Sequence, residues 1–150
     1  MGHCIQIFIG EINILENIAS NWDAANMIPL KQQFAMIFLT NQFFDDIEEM
    51  ANTKDTLNDY RFLLLTSAIW EQILQPYSKN GMLAYLETDY FGGVGTQAGV
   101  LFENGERIEG PSDKEGIINQ ILRKMGVCIE PGKDEFDSVG LGNYRHMPLE

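Results

Sequence analysis

The chain has 150 residues, 45% of them apolar, and 22 acidic against 10 basic side chains, a net charge of −12. A domain of that length buries about two-thirds of its unfolded surface, so it needs neither a metal nor a disulfide to hold it together. The acidic excess repels phosphate backbones and anionic membrane surfaces, which argues against nucleic-acid and membrane binding; it is compatible with a basic protein partner, and the simpler reading is that it keeps the protein soluble.

No apolar run approaches the roughly 20 residues of a membrane span. The first residues, Met-Gly-His-Cys-Ile-Gln, hold no basic region or cleavage site, and Gln6 stands where myristoylation wants Ser or Thr. Cys4 and Cys128 lie far apart and read as buried thiols of a cytoplasmic protein.

Residues 3–9 read as a strand rich in β-branched side chains and ended by Gly10. Residues 11–22 place Ile12, Leu15, Ile18, Ala19 and Trp22 at helical spacing. A short strand at 27–30 contains Pro29, which suits an edge. Residues 33–39 alternate Phe34, Met36 and Phe38 with Ala35, Ile37 and Leu39, which predicts an interior strand buried on both faces. Thr40 or Asn41 then caps a helix over 42–51, with Phe43, Phe44, Ile47 and Met50 inward and Asp45, Asp46, Glu48 and Glu49 outward. Residues 52–59 read as a loop and 62–65 as a strand. Thr66 or Ser67 caps a helix carrying Ile69, Trp70, Ile73, Leu74 and Tyr77, which Pro76 should kink or end.

Strands follow at 82–90 and 96–102. Asn104-Gly105 is the hairpin dipeptide that accepts a type I′ turn, with 107–109 returning. A helix over 113–125 opens on the capping box Ser112-Asp113-Lys114-Glu115 and closes on Arg123, Lys124 and Gly126. Residues 134–139 make one helical turn in a polar tail that tends to fray, unless Phe136, Leu141 and Tyr144 pin it. The order predicts a single α+β domain over 1–148, a mixed sheet of about five to seven strands with three to four helices packed on it. Its parallel stretches would be joined by right-handed crossovers, and the alternative is an α/β three-layer sandwich. Leu149-Glu150 reads as a tag-junction remnant outside the domain.

The chemistry-bearing stretch is 85–97, Tyr-Leu-Glu-Thr-Asp-Tyr-Phe-Gly-Gly-Val-Gly-Thr-Gln. On a strand Tyr85, Glu87 and Asp89 share one face, and Leu86, Thr88 and Tyr90 the other. Four readings compete. A phosphate cradle at Gly92, Gly93 and Gly95 needs a following helix and a lysine, and neither is present. A carboxylate pair, Glu87 and Asp89, suits acid–base or cation chemistry, with Asp134, Glu135 and Asp137 as further oxygen donors. A recognition surface would use Tyr85, Tyr90, Phe91 and Gln97 around the glycine turn. The bland reading makes the acids a wet sheet face and the glycines a bulged hairpin.

Nucleophile patterns are weaker. His3 and Cys4 point to opposite strand faces, His146 lies in the tail, and there is no zinc spacing and no Gly-x-Ser-x-Gly elbow. No cofactor is indicated. In size, charge and element order the chain resembles small acidic bacterial proteins that neutralise toxins. That resemblance implies a non-enzymatic binding module of immunity or inhibitor type with a basic protein partner. The alternative is a small enzyme, or a small-molecule or metal binder, using Glu87 and Asp89 beside the 92–95 loop.

Overall fold

The computed structural model describes residues 2–51 and 62–149; the loop expected at 52–59 lies outside them. The domain is α+β, built on one six-stranded sheet. Its strands are β1 (His3–Glu11), β2 (Met27–Pro29), β3 (Phe34–Phe38), β4 (Met82–Phe91), β5 (Val94–Glu103) and β6 (Glu106–Ser112), in the order β2-β3-β1-β4-β5-β6. No described helix is long and apolar enough to cross a membrane.

The sheet is antiparallel at every strand pair, not mixed. The reason is the place of β1. Both β3 and β4 run antiparallel to it, so they run parallel to each other, as a crossover demands, but β1 lies between them. The parallel neighbours expected from the alternation of strands and helices are therefore absent among the described strands.

Helices cover both sheet faces. On one side lie α1 (Ile12–Asn21), α2 (Asn41–Met50) and a continuous run over 67–77, here α3, around Phe8, Ile37, Tyr85, Val100 and Phe102. On the other lie α4 (Ile117–Met125) and α5 (Glu135–Val139), around Ile5, Ile7, Met36, Leu86 and Leu101. The alternation expected in β3 is present, with all five residues buried. β1 extends past Gly10 to Glu11.

Local chemistry sets the helix ends. Thr40 Oγ1 accepts the Phe43 N–H at 3.2 Å, and Thr66 Oγ1 accepts the Ile69 N–H at 3.3 Å. Met50, expected inward, is 66% exposed at the end of α2. In α3 the stretch Trp70–Leu74 widens into a π-helical turn immediately before Pro76. Proline lacks an N–H and its ring crowds the carbonyl four residues back, so a wider turn carries the chain past it without ending the helix. Helix α4 begins at Ile117, four residues later than the capping box predicts. Ser112 ends β6, paired with Gly99, and its Oγ accepts the Lys114 N–H at 3.2 Å in a turn, so the helix starts only after Gly116 at φ 84°. Its other end is as expected: Gly126 is left-handed, and the Val127 N–H donates to Leu122 O at 3.0 Å.

Segment 62–65 is not a strand, because the Leu63 and Leu64 N–H groups donate to a side chain and not to a neighbouring strand. The tail is docked, not frayed. The Cys4 N–H donates to Arg145 O at 2.7 Å, Cys4 and His146 form an isolated parallel bridge, and Leu141 is buried. Both cysteines are free and exposed, contrary to the buried thiols expected; Cys4, near the start of β1 and paired with exposed Asp89, opens onto a cleft. The sheet edges are guarded. β2 is three residues long with Pro29, and β6 carries Glu106, Arg107 and Glu109 and pairs with an irregular register.

Candidate functional site

Segment 85–97 forms most of the β4–β5 hairpin. Tyr90 pairs with Gly95 and Phe91 with Val94, closing a two-residue turn at Gly92 and Gly93. Both turn glycines have positive φ, 62° and 82°, as a type I′ turn requires. The hairpin is in register without a bulge; the irregular pairing lies instead between β5 and β6. The chain continues from the glycines into β5, not into a helix. The pleat then divides the nine candidate residues among a buried anchor, a cavity on the opposite face and an exposed tip.

The anchor is Glu87. It is buried, and its carboxylate accepts the Leu63 N–H at 2.5 Å, the Leu64 N–H at 2.8 Å and the Tyr85 hydroxyl at 2.6 Å. Burial pushes the Glu87 carboxyl above its ordinary value, against the lowering effect of those three donors. Burial, with Glu87 beside it, also pushes the Tyr85 hydroxyl well up, so it stays protonated and donates. Glu87 thus ties the 62–65 segment to the sheet. Asp89, two residues along the same face, is exposed. The two carboxylates line one cleft, Glu87 buried and Asp89 exposed, whereas Asp134 and Asp137 line a cavity on the opposite face. Glu135 is paired with Arg123 at 2.9 Å. Among the described residues no three His, Cys, Asp or Glu side chains converge as a metal set.

On that opposite face the Gln97 amide donates to the Tyr90 hydroxyl at 2.7 Å, and its carbonyl accepts the Ile118 N–H at 2.9 Å. Gln97 therefore fixes both Tyr90 and the first turn of α4. His3 lies beside them. Its Nε2 faces the Leu141 carbonyl at 3.2 Å and must carry the proton, so Nδ1 accepts from Thr88 Oγ1 at 2.7 Å. Thr88 in turn accepts the Ile5 N–H at 3.1 Å. This relay holds the tail against the sheet with a neutral imidazole.

Burial lowers the pKa of His3. The unfolded chain then binds the proton more readily than the folded one. The stabilisation is complete above the unfolded value of 6.5 and is lost as pH falls through the lower folded value. Between about pH 7 and about pH 5 the wild type is expected to lose more thermal stability than His3→Gln, which has no imidazole to titrate. Parallel melting curves at the two pH values check this; equal losses would place His3 outside the linkage.

The tip is the exposed part. Phe91 is 84% exposed and Val94 79%, and as paired residues they point to the same face. Farther in on that face Asp89 and Thr96 border a cleft of about 320 Å³, whose other walls include Gln6, Phe62 and Leu63. Leu63 is itself 68% exposed. Sequence reading missed Leu63, taken as a strand residue, and Arg145, and it named Asp137 only as an oxygen donor beside Glu87 and Asp89; Asp137 and Arg145 join Tyr90 around one cavity only through folding. Nothing local in the chain signals those contacts, which span more than 40 residues. Comparison with protein-family models, with curated proteins and with solved structures finds no match to this chain.

Proposed function

We propose that the chain is a non-enzymatic protein-binding module of immunity or inhibitor type, docking a basic protein on the sheet face that carries the β4–β5 tip. The observation that carries this reading is the exposed apolar pair Phe91 and Val94 at the hairpin end, on the sheet face where exposed Leu63 lines a cleft with Asp89. Large apolar side chains left in water around a concavity mark interaction surfaces, and aromatic anchors contribute most to such contacts. The net charge of −12 supplies the complementary field, speeding encounter with a basic surface and making association salt-sensitive. The guarded edges of β2 and β6 disfavour recruitment by strand addition, which leaves side-chain docking as the mode. The exposed acids Asp45 and Glu49 of α2 would extend the field on the same side of the sheet.

The test is affinity capture from cells that make the chain, comparing the wild type with Phe91→Ser/Val94→Ser. Both side chains are exposed, so the double variant should unfold with the wild type within about 1 kcal/mol. A basic protein retained stoichiometrically by the wild type should be lost from the variant, with affinity reduced about 30-fold or more. Undiminished capture by the variant would refute the tip as the anchor.

A further inference from the structure

The cavity on the other sheet face encloses about 290 Å³ between the outer ends of β1, β4 and β5, the start of α4 and the docked tail. Most polar groups that line it are already engaged. Gln97 bonds Tyr90 and Ile118; Thr88 and His3 bond each other; Asn119 donates to Asp134 and accepts from Phe136 N–H. Subtracting these leaves three unfilled functions.

The Tyr90 hydroxyl accepts from Gln97, so its own proton is free to donate. The Arg145 guanidinium makes one long contact, to Gly2 O at 3.5 Å, and no ion pair among the described residues. The Asp137 carboxylate accepts no hydrogen bond from a described residue, and it lies over Gly142, where a Cβ would fall 2.6 Å from its Oδ1. Arg145 and Asp137 act on the same imidazole, that of His3, yet they are not paired with each other. Ile118 and Phe136 add apolar surface between them.

A cation, an anion and a hydroxyl donor facing one small cavity complement a ligand of the reverse pattern. We propose that this cavity binds a small zwitterion of the α-amino-acid class, its carboxylate on Arg145 and Tyr90, its ammonium on Asp137, and an apolar side chain against Ile118 and Phe136. The volume lies at the lower end of small-molecule sites, which suits one amino acid and not a nucleotide. A purely anionic ligand would meet the carboxylates of Asp134 and Asp137, and a purely cationic one would meet Arg145, so a ligand carrying both charges uses the lining more fully than either.

Ligand-observed saturation-transfer NMR on the full chain tests this with L-leucine, L-methionine and L-phenylalanine, each beside its N-acetyl and methyl-ester forms. At least one free amino acid should show transfer, and both blocked forms should lose it. Arg145→Gln and Asp137→Asn should each weaken binding by at least about tenfold, and Tyr90→Phe by less. Arg145 and Asp137 are both exposed at the rim, so amide spectra of the variants should match the wild type. Absence of transfer from all three amino acids overturns the proposal. So does equal transfer from the blocked forms, or transfer undiminished in both charge variants. Because the tip lies on the other face, that failure would leave partner capture by Phe91 and Val94 unaffected.

Discussion

Glu87→Ala is expected to destabilise the domain by about 3–5 kcal/mol, a large share of the 5–15 kcal/mol that ordinarily holds such a domain. The substitution removes the acceptor for two backbone N–H groups and one hydroxyl at once. Each donor stranded away from water costs about 1–3 kcal/mol, and water entering from the neighbouring cleft recovers part of the sum. Glu87→Gln should cost less, about 1–3 kcal/mol, because its carbonyl keeps one N–H while its amide faces the other. The pH dependence separates this from simple cavity formation. Glu87 has a folded pKa raised above the unfolded value of 4.5, so its contribution is complete below that value and declines as pH rises through the folded one. The stability advantage of wild type over Glu87→Gln should therefore shrink across that rise. Urea denaturation of both chains over the interval measures it, and an advantage that grows with pH would contradict burial as the dominant influence on this carboxyl.

Gly95→Ala is expected to cost about 2–4 kcal/mol and to open the outer rungs of the β4–β5 hairpin. A Cβ at Gly95 would fall 2.0 Å from the Asp89 carbonyl oxygen and 2.6 Å from the Tyr90 Cα, both backbone atoms that no rotamer change can move aside. Gly92 is the contrast. Its φ is positive, but no atom lies within 4 Å of the Cβ position. Gly92→Asn, with a residue that tolerates left-handed backbone, should therefore stay within about 1 kcal/mol of the wild type. Urea denaturation with amide exchange at Tyr90 and Phe91 distinguishes the two. Gly95→Ala as stable as Gly92→Asn would mean that the strands separate there without loss.

Much of this architecture is legible in the chain because it is written in local periodicity. The two-sided burial of β3, the Asn104-Gly105 turn and the apolar stripe of α4 all follow from residue spacing, and all are present. What local pattern cannot show is competition for partners. Ser112 is a sound cap by sequence, yet strand pairing with Gly99 claims it first. Segment 62–65 has strand composition, yet its amides go to Glu87 across more than 20 residues. The alternation of strands and helices reads as parallel crossovers, and the insertion of β1 between β3 and β4, which makes every neighbour antiparallel, is not legible. The candidate site divides along the same line. The unusual character of 85–97 is visible from its glycines and aromatics. Its separation into anchor, cavity and tip needs the pleat and the docked tail, because Asp137 and Arg145 reach Tyr90 only when residues 134–147 lie back against β1.

Hydrogen–deuterium exchange of the chain alone and with its captured basic partner tests the docking claim most directly. Slowed exchange at residues 89–95 and 62–65 upon binding, with the β2 and β6 edges unchanged, is the expected pattern. Protection confined to α2 or to a sheet edge, with the Phe91–Val94 turn exchanging as fast as in the free chain, would contradict it.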